Sequence, residues 1–171
     1  PVSISTNNLQ SDLINSEAKT INQKLIEQAL TLVKNKDNTI PIENIQCKIA
    51  TLVVGSTERV PFQYQVDAYC KAQHYVYGKD RDSDLLNDLS HANIVIVGMV
   101  GMNNSFKDNY KINSQATKLI NQLSTKTQVV LVSYGNPYAL SNLVAPDAVL
   151  CAYNDDSITQ SLAIQAVFGG L

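Results

Sequence analysis

Hydrophobic residues in this chain fall in short unbroken runs. Ile94-Val95-Ile96-Val97 is four aliphatics in a row. It is followed by Gly98, by Met99-Val100-Gly101-Met102, and by the polar Asn103-Asn104-Ser105. A run without a polar residue at every second position suits a strand buried on both faces, as in a parallel sheet covered by helices. Gly98 and Gly101 are expected to release the backbone at the strand's carboxyl end. The design recurs from Ile49 to Gly55, from Val129 to Asn136 and from Ala148 to Asp156. In open parallel sheets, ligands sit at the edge where such loops gather.

Between the runs the apolar period lengthens to that of a helix. Ile21, Leu25, Ile26, Ala29, Leu30 and Val33 form one stripe on a predicted helix of about five turns, with Ser16 as its cap and Glu17 in its first turn. Asn35 to Asn38 reads as a turn, and Thr39 to Ile42 as an extended piece that Pro41 keeps out of helix. Pro61 opens a helix from Phe62 to Ala72. His74 to Tyr77 reads as an edge strand. Asp80-Arg81-Asp82 is a loop, and Asp82 or Ser83 caps a helix bearing Leu85, Leu86 and Leu89. Ile112 to Ser124 is helical, Tyr138 to Leu143 is a short helix after Pro137, and Ile158 to Phe168 is the last helix, capped within Asn154-Asp155-Asp156-Ser157. Strand and helix alternate, which predicts an α/β fold: a three-layer αβα sandwich on a mostly parallel, flavodoxin-like sheet of about five strands in the order 2-1-3-4-5. Residues 1–15 are polar and read as a surface arm or linker, and residues 16–171 as one domain.

Composition narrows the partners. At 171 residues, with 44% apolar and 16% charged positions, one domain with an independent core is expected. Net charge is −2 and the pI about 5.6. No basic run is present, which argues against nucleic acid. The apolar runs are too short for membrane insertion. The chain starts at Pro1, which points to a processed or excised piece. Cys47, Cys70 and Cys151 have neither metal spacing nor a disulfide framework and read as small buried hydrophobes, with Cys70 on a helix.

Candidate chemistry is sparse. Glycoside cleavage needs two carboxyl groups about 5 to 10 Å apart, and Glu58, Asp108, Asp155 and Asp156 lie on expected strand-to-helix loops. Asp155 and Asp156 also stand where a helix start calls for a capping acid. Ser133-Tyr134-Gly135 lacks the nucleophile-elbow pattern. His74 and His91 lie away from the expected site edge. Gly98-x-x-Gly101 is not a dinucleotide fingerprint, and no phosphate-loop lysine appears. No catalytic residue, metal ligand or cofactor is therefore assigned. Asn103, Asn104 and Ser105 admit two readings: a turn whose amides cap nearby backbone, or neutral hydrogen bonding to a polyol or a partner domain.

Particular segments also resemble the C-terminal α/β sandwich domain of glycoside hydrolase family 3. They are Ala29-Leu30-Thr31-Leu32-Val33-Lys34-Asn35-Lys36-Asp37-Asn38 with Ile40-Pro41-Ile42, Lys48-Ile49-Ala50, Val97 through Phe106, Tyr134-Gly135-Asn136-Pro137-Tyr138, Ala152-Tyr153-Asn154-Asp155-Asp156 and Gln165 through Gly170. The likeness covers nearly everything after residue 16. It is strongest to β-N-acetylglucosaminidase-type members of Bacteroides-like bacteria, often fused to a serine-hydrolase module. The resemblance implies an N-terminal (β/α)8 barrel in the parent chain carrying the nucleophilic Asp, and in this branch a barrel-borne His as acid/base. Some β-glucosidase members use a Glu from a loop of this domain. The nearest loop here, Met99 to Ser105, has none. The resemblance also implies a later Gly-x-Leu-Pro-Val strand beyond Leu171, so the sheet is expected to lack its last member.

The implied role is that of an accessory domain of a retaining exo-β-N-acetylglucosaminidase. It would buttress the barrel, meet carbohydrate only through it, and offer Asn103, Asn104, Ser105, Asn136, Asp155 and Asp156 as rim or interface candidates. A periplasmic or outer-membrane setting is implied by the resemblance alone. The rival readings are a flavodoxin-like nucleotide- or flavin-binding module and an interaction scaffold.

Overall fold

In chain order the computed structural model, described for residues 13–78 and 82–171 with the side chains at 82, 83 and 142 excepted, runs as follows: α1 (Ser16–Ala29), β1 (Thr31–Asn35), β2 (Ile49–Val54), α2 (Pro61–Val66), β3 (Ala72–Val76), α3 (Asp82–Ser90), β4 (Ile94–Met99), α4 (Ser114–Leu123), β5 (Gln128–Ser133), β6 (Ala148–Cys151) and α5 (Ser157–Val167). Of the arm expected over residues 1–15, residues 1–12 lie outside the described residues, as do Asp80 and Arg81 of the expected loop and the side chains of the expected cap at Asp82 or Ser83.

One sheet of six strands has the order β1-β6-β5-β4-β2-β3. The five strands from β2 to β6 are mutually parallel, and renumbered from β2 they follow the predicted 2-1-3-4-5 order. Every residue of β2, β4 and β6 is buried, as unbroken apolar runs require of strands covered on both faces. One face packs Ile49, Ile96, Val130 and Leu150 against Phe62 and Val66 of α2 and Ala163, Ile164 and Val167 of α5. The other packs Leu52, Val97 and Leu131 against Leu85 and Leu89 of α3 and Ala116, Ile120 and Leu123 of α4. Alternating strand residues thus serve two helical layers, and the three-layer sandwich is the observed architecture.

The N-terminal region departs from expectation. The predicted helix through Val33 stops at Ala29. Thr31–Asn35 is instead a sixth strand, antiparallel to β6, with Thr31 opposite Cys151 and Asn35 opposite Ala148. β-Branched Thr31 and Val33 favour that state, and an open sheet edge supplies the hydrogen bonds. Asn15, not Ser16, caps α1, its Oδ1 accepting from the Ala18 N–H at 2.8 Å. No residue of α1 is buried, so its apolar stripe is not core.

Three smaller corrections follow from packing. Gly98 lies inside β4 and does not end it. A Cβ there would stand 2.3 Å from Cε1 of Phe62, so the glycine makes room for a ring. α2 is one short piece, and the chain turns through Asp67 to Cys70 before β3 begins at Ala72, leaving Cys70 off any helix. Residues Pro137–Asn142 form a 3-10 turn.

The outer strand β3 is pinned by side chains. Gln63 donates through Nε2 to Thr51 Oγ1 at 2.8 Å and to the Tyr75 carbonyl at 3.1 Å. Thr51 Oγ1 lies 2.8 Å from His74 Nδ1, and His74 Nε2 lies 2.8 Å from Asp67 Oδ1. In the neutral ring, the proton facing Asp67 sits on Nε2 and Thr51 donates to Nδ1. Arg59 completes the chain with a 2.8 Å bond to Asp67 Oδ2.

A candidate binding edge

The carboxyl ends of β4, β5 and β6 open into loops on a common rim, because parallel strands all point one way. Backbone bonds set the loops in step: Tyr134 N–H donates to Met99 O at 3.0 Å, and Ala152 N–H donates to Ser133 O at 2.8 Å. Near β2, Val100 N–H donates to Val54 O at 2.9 Å. Gly55 has φ +98°, and a Cβ there would meet Val100 O at 2.0 Å. Only a glycine permits that approach.

Between the three loops lies a cleft of about 330 Å³, whose walls include Met102, Asn104, Asn136, Tyr153, Asn154 and Asp155. Its floor includes Tyr134, which is buried and stacks on Phe62 with ring centroids 5.8 Å apart. Complete burial pushes the Tyr134 hydroxyl well above the ordinary phenol range. It therefore stays protonated at neutral pH and donates to the Gln160 carbonyl at 3.4 Å.

Each candidate residue has a definite place. Asn136 donates through Nδ2 to Asn104 Oδ1 at 3.3 Å across the cleft, while its own Oδ1 accepts from Tyr138 N–H at 3.0 Å. Asn103 makes a local turn, accepting from Ser105 N–H at 3.0 Å. Neither Asn103 nor Ser105 is among the residues lining the cleft. Asp155 Oδ2 accepts from the Gly101 N–H at 2.8 Å and so ties the β6 loop to the β4 loop. Asp156 caps α5: Oδ1 accepts from Thr159 N–H at 2.8 Å, and Oδ2 accepts from Thr159 Oγ1 and Asn154 Nδ2. Both acids act on backbone or cap geometry, which is the bland alternative raised by their position at a helix start.

Met102, Tyr153 and Asn154 line the cleft without having been sequence candidates. Tyr153 has φ +65°, and its hydroxyl donates to Thr31 Oγ1 at 3.0 Å, linking the rim to β1. Met102 packs under Gly135, where a Cβ would meet its Cε at 2.8 Å. The Tyr153 link depends on β1 pairing with β6, and the Met102 contact on β4 pairing with β5. The arrangement offers amide donors and acceptors, a thioether and exposed aromatic surface. Among the described residues no group of three His, Cys, Asp or Glu side chains is placed to hold a metal.

No protein-family profile matches the chain, and no curated protein does. Solved structures do. A fungal multi-domain glycoside hydrolase family 3 β-N-acetylglucosaminidase aligns over 98% of this chain and 19% of its own, at 21% identity and a TM-score of 0.77. The family 3 β-N-acetylglucosaminidase of Paenibacillus sp. str. FPU-7 aligns over 100% and 33%, at 16% identity and 0.71. A β-glucoside phosphorylase aligns over 98% and 32%, at 15% identity and 0.76. The fold is that of a segment of family 3 glycosidases. The chain spans between a fifth and a third of these relatives' length, so in them the same fold is one part of a larger protein. No described helix is long and apolar enough to cross a membrane.

Proposed function

We propose that this chain is the non-catalytic accessory domain of a retaining, family 3 exo-β-N-acetylglucosaminidase, packed against a (β/α)8 barrel that carries the chemistry. The observation that supports it most is the alignment of essentially the whole chain with a minor part of multi-domain β-N-acetylglucosaminidases. The rim agrees: its two acids are engaged as a loop tie and a helix cap, and its cleft presents amides. Amides bind uncharged sugar hydroxyls in both directions without desolvating a charge. Of the six candidates, Asn104 and Asn136 hold the best position to touch substrate at the barrel mouth. Asn103, Ser105, Asp155 and Asp156 hold the loops that present them.

An apolar surface adjoins this rim. Leu13, Ile14 and Ile158 line a groove of about 490 Å³, and Ile158 follows the rim by two residues. Ile21 and Leu25 of α1 and Leu32 and Val33 of β1 are exposed nearby in the chain. Apolar groups gathered this way mark an interaction site, and the occupant proposed is the barrel. The flavodoxin-like alternative is less well supported. The crevice between β2 and β4, where such folds take a cofactor, is crossed by the backbone contact of Gly55 with Val100.

The test compares the isolated chain with its barrel-bearing parent on a chromogenic N-acetylglucosaminide. The isolated chain is expected to show no turnover. In the parent, Asn136→Ala is expected to lower kcat/KM by up to about tenfold, the worth of one neutral hydrogen bond. Turnover by the isolated chain that Asp155→Asn or Asp156→Asn abolishes would overturn the proposal.

A further inference from the structure

Cys47 and Cys70 play no part in the rim or the core pattern, yet the sheet brings them together. β2 and β3 are parallel, with Ile49 opposite Ala72. Cys47 and Cys70 each stand two residues before that pair, in the bends that lead into β2 and β3. Cys47, Cys70 and Ala72 all pack against the cluster that contains Ile49. The intervening Lys48 and Lys71 line one shared hollow with Ile49 and Ala72, so the two chains stay side by side below the first ladder pair. Neighbouring strands lie about 4.8 Å apart, which holds the two bends close at the Ile49–Ala72 pair, and disulfides join Cα atoms roughly 4.4 to 6.8 Å apart. The Cys70 thiol is pushed up first by burial and then by the electrostatic effect of Cys47 and Asp67. Both are free and only partly buried, whereas Cys151 is buried in β6, with β5 and β4 between it and β2.

We propose that Cys47 and Cys70 form a reversible disulfide when the chain meets a low-molecular-weight disulfide such as oxidised glutathione. One cysteine thiolate attacks a glutathione sulfur, breaking the S–S bond and expelling one glutathione thiolate, which takes up the proton lost. The second cysteine then attacks the protein-side sulfur of the mixed disulfide and expels the other glutathione. Two protein thiols are oxidised and one glutathione disulfide is reduced to two thiols. The bond closes a loop of 24 residues, counted from 47 to 70, around α2. It fastens the start of β3, an outer strand whose neighbour in the sheet is β2. Sequence spacing carries no sign of this pair, because the two bends approach each other only where β2 and β3 begin to pair.

The test incubates the purified chain with oxidised glutathione, blocks remaining thiols with N-ethylmaleimide, and maps non-reduced peptides. A Cys47–Cys70 linked peptide is expected, with Cys151 unlinked. Oxidation should raise Tm by on the order of 5 °C. A reductant should reverse the gain in the unaltered protein. Cys47→Ala and Cys70→Ala should each abolish both the link and the gain, and Cys151→Ala neither. Thiols that alkylate freely with no linked peptide, stable glutathione adducts that never resolve, or a link through Cys151 would each overturn the proposal.

Discussion

Two stretches of the chain carry comparable apolar patterns and meet opposite fates. Ile94 to Val97 sits at the centre of the sheet, wholly covered, with Ile96 facing one helical layer and Val95 and Val97 the other. Ile21 and Leu25 recur at helical spacing on α1 and are 52% and 61% exposed. The difference lies in what surrounds them. A central strand is flanked by neighbours on both sides and layers on both faces, so its apolar residues are buried by the domain's own geometry. α1 touches the domain through α5, and a helix on one other helix turns most of its surface outward. Apolar periodicity states that a segment will bury a face, and leaves open whether the partner lies in the same domain.

The comparison can be broken most strongly at the centre. Leu131→Ala removes a wholly buried side chain from β5 and is expected to cost about 2–5 kcal/mol in urea unfolding, through lost burial and the cavity left behind. Gly98→Ala tests the same core by overfilling it. The added methyl meets the Phe62 ring, and the expected cost is about 1–3 kcal/mol. Combining it with Phe62→Leu should recover part of that loss, a coupling that a double-mutant cycle reads directly.

A smaller effect sits at the β3 edge. Burial acts first to raise the Asp67 carboxyl, but hydrogen bonds from Arg59 and His74, with their charges, together hold it below its ordinary value of 3.8. A carboxyl lowered in the folded state contributes stability above its unfolded value, and loses it as pH falls through the folded one. Stability should therefore decline below the ordinary carboxylate range, and Asp67→Asn should flatten that part of the profile in acid titration. The effect is modest because the Asp67 side chain is 44% exposed and solvent screens its pairs. Smallest of all, Leu25→Ser on α1 should change the isolated chain's stability by less than about 0.5 kcal/mol. The same substitution should weaken association with a separately expressed barrel. A large loss of intrinsic stability would show instead that α1 belongs to the core.

Legibility in the sequence followed the same divide. The buried strands, their order and the two helical layers were readable because β2, β4 and β6 are unbroken apolar runs and parallel connections are right-handed. Caps with an acid before a helix were readable as well, as at Asp156. β1 was not. Leu30 and Val33 fit the predicted helical stripe, and only the free edge of β6 turns the chain from Thr31 to Asn35 into strand. Gly98 reads as a strand end until the Phe62 ring appears above it. At the rim, Asn104 and Asn136 were nameable from their loops, but their pairing across 32 residues was not.

Local pattern therefore determined the α/β class, the two-sided strands and the polar character of the loops, because periodicity and turn chemistry act between residues close in the chain. The tertiary structure decided where α1 ends, why Gly98 is glycine and which acids are occupied. Those outcomes depend on contacts between distant segments, and a contact between distant segments has no period to read.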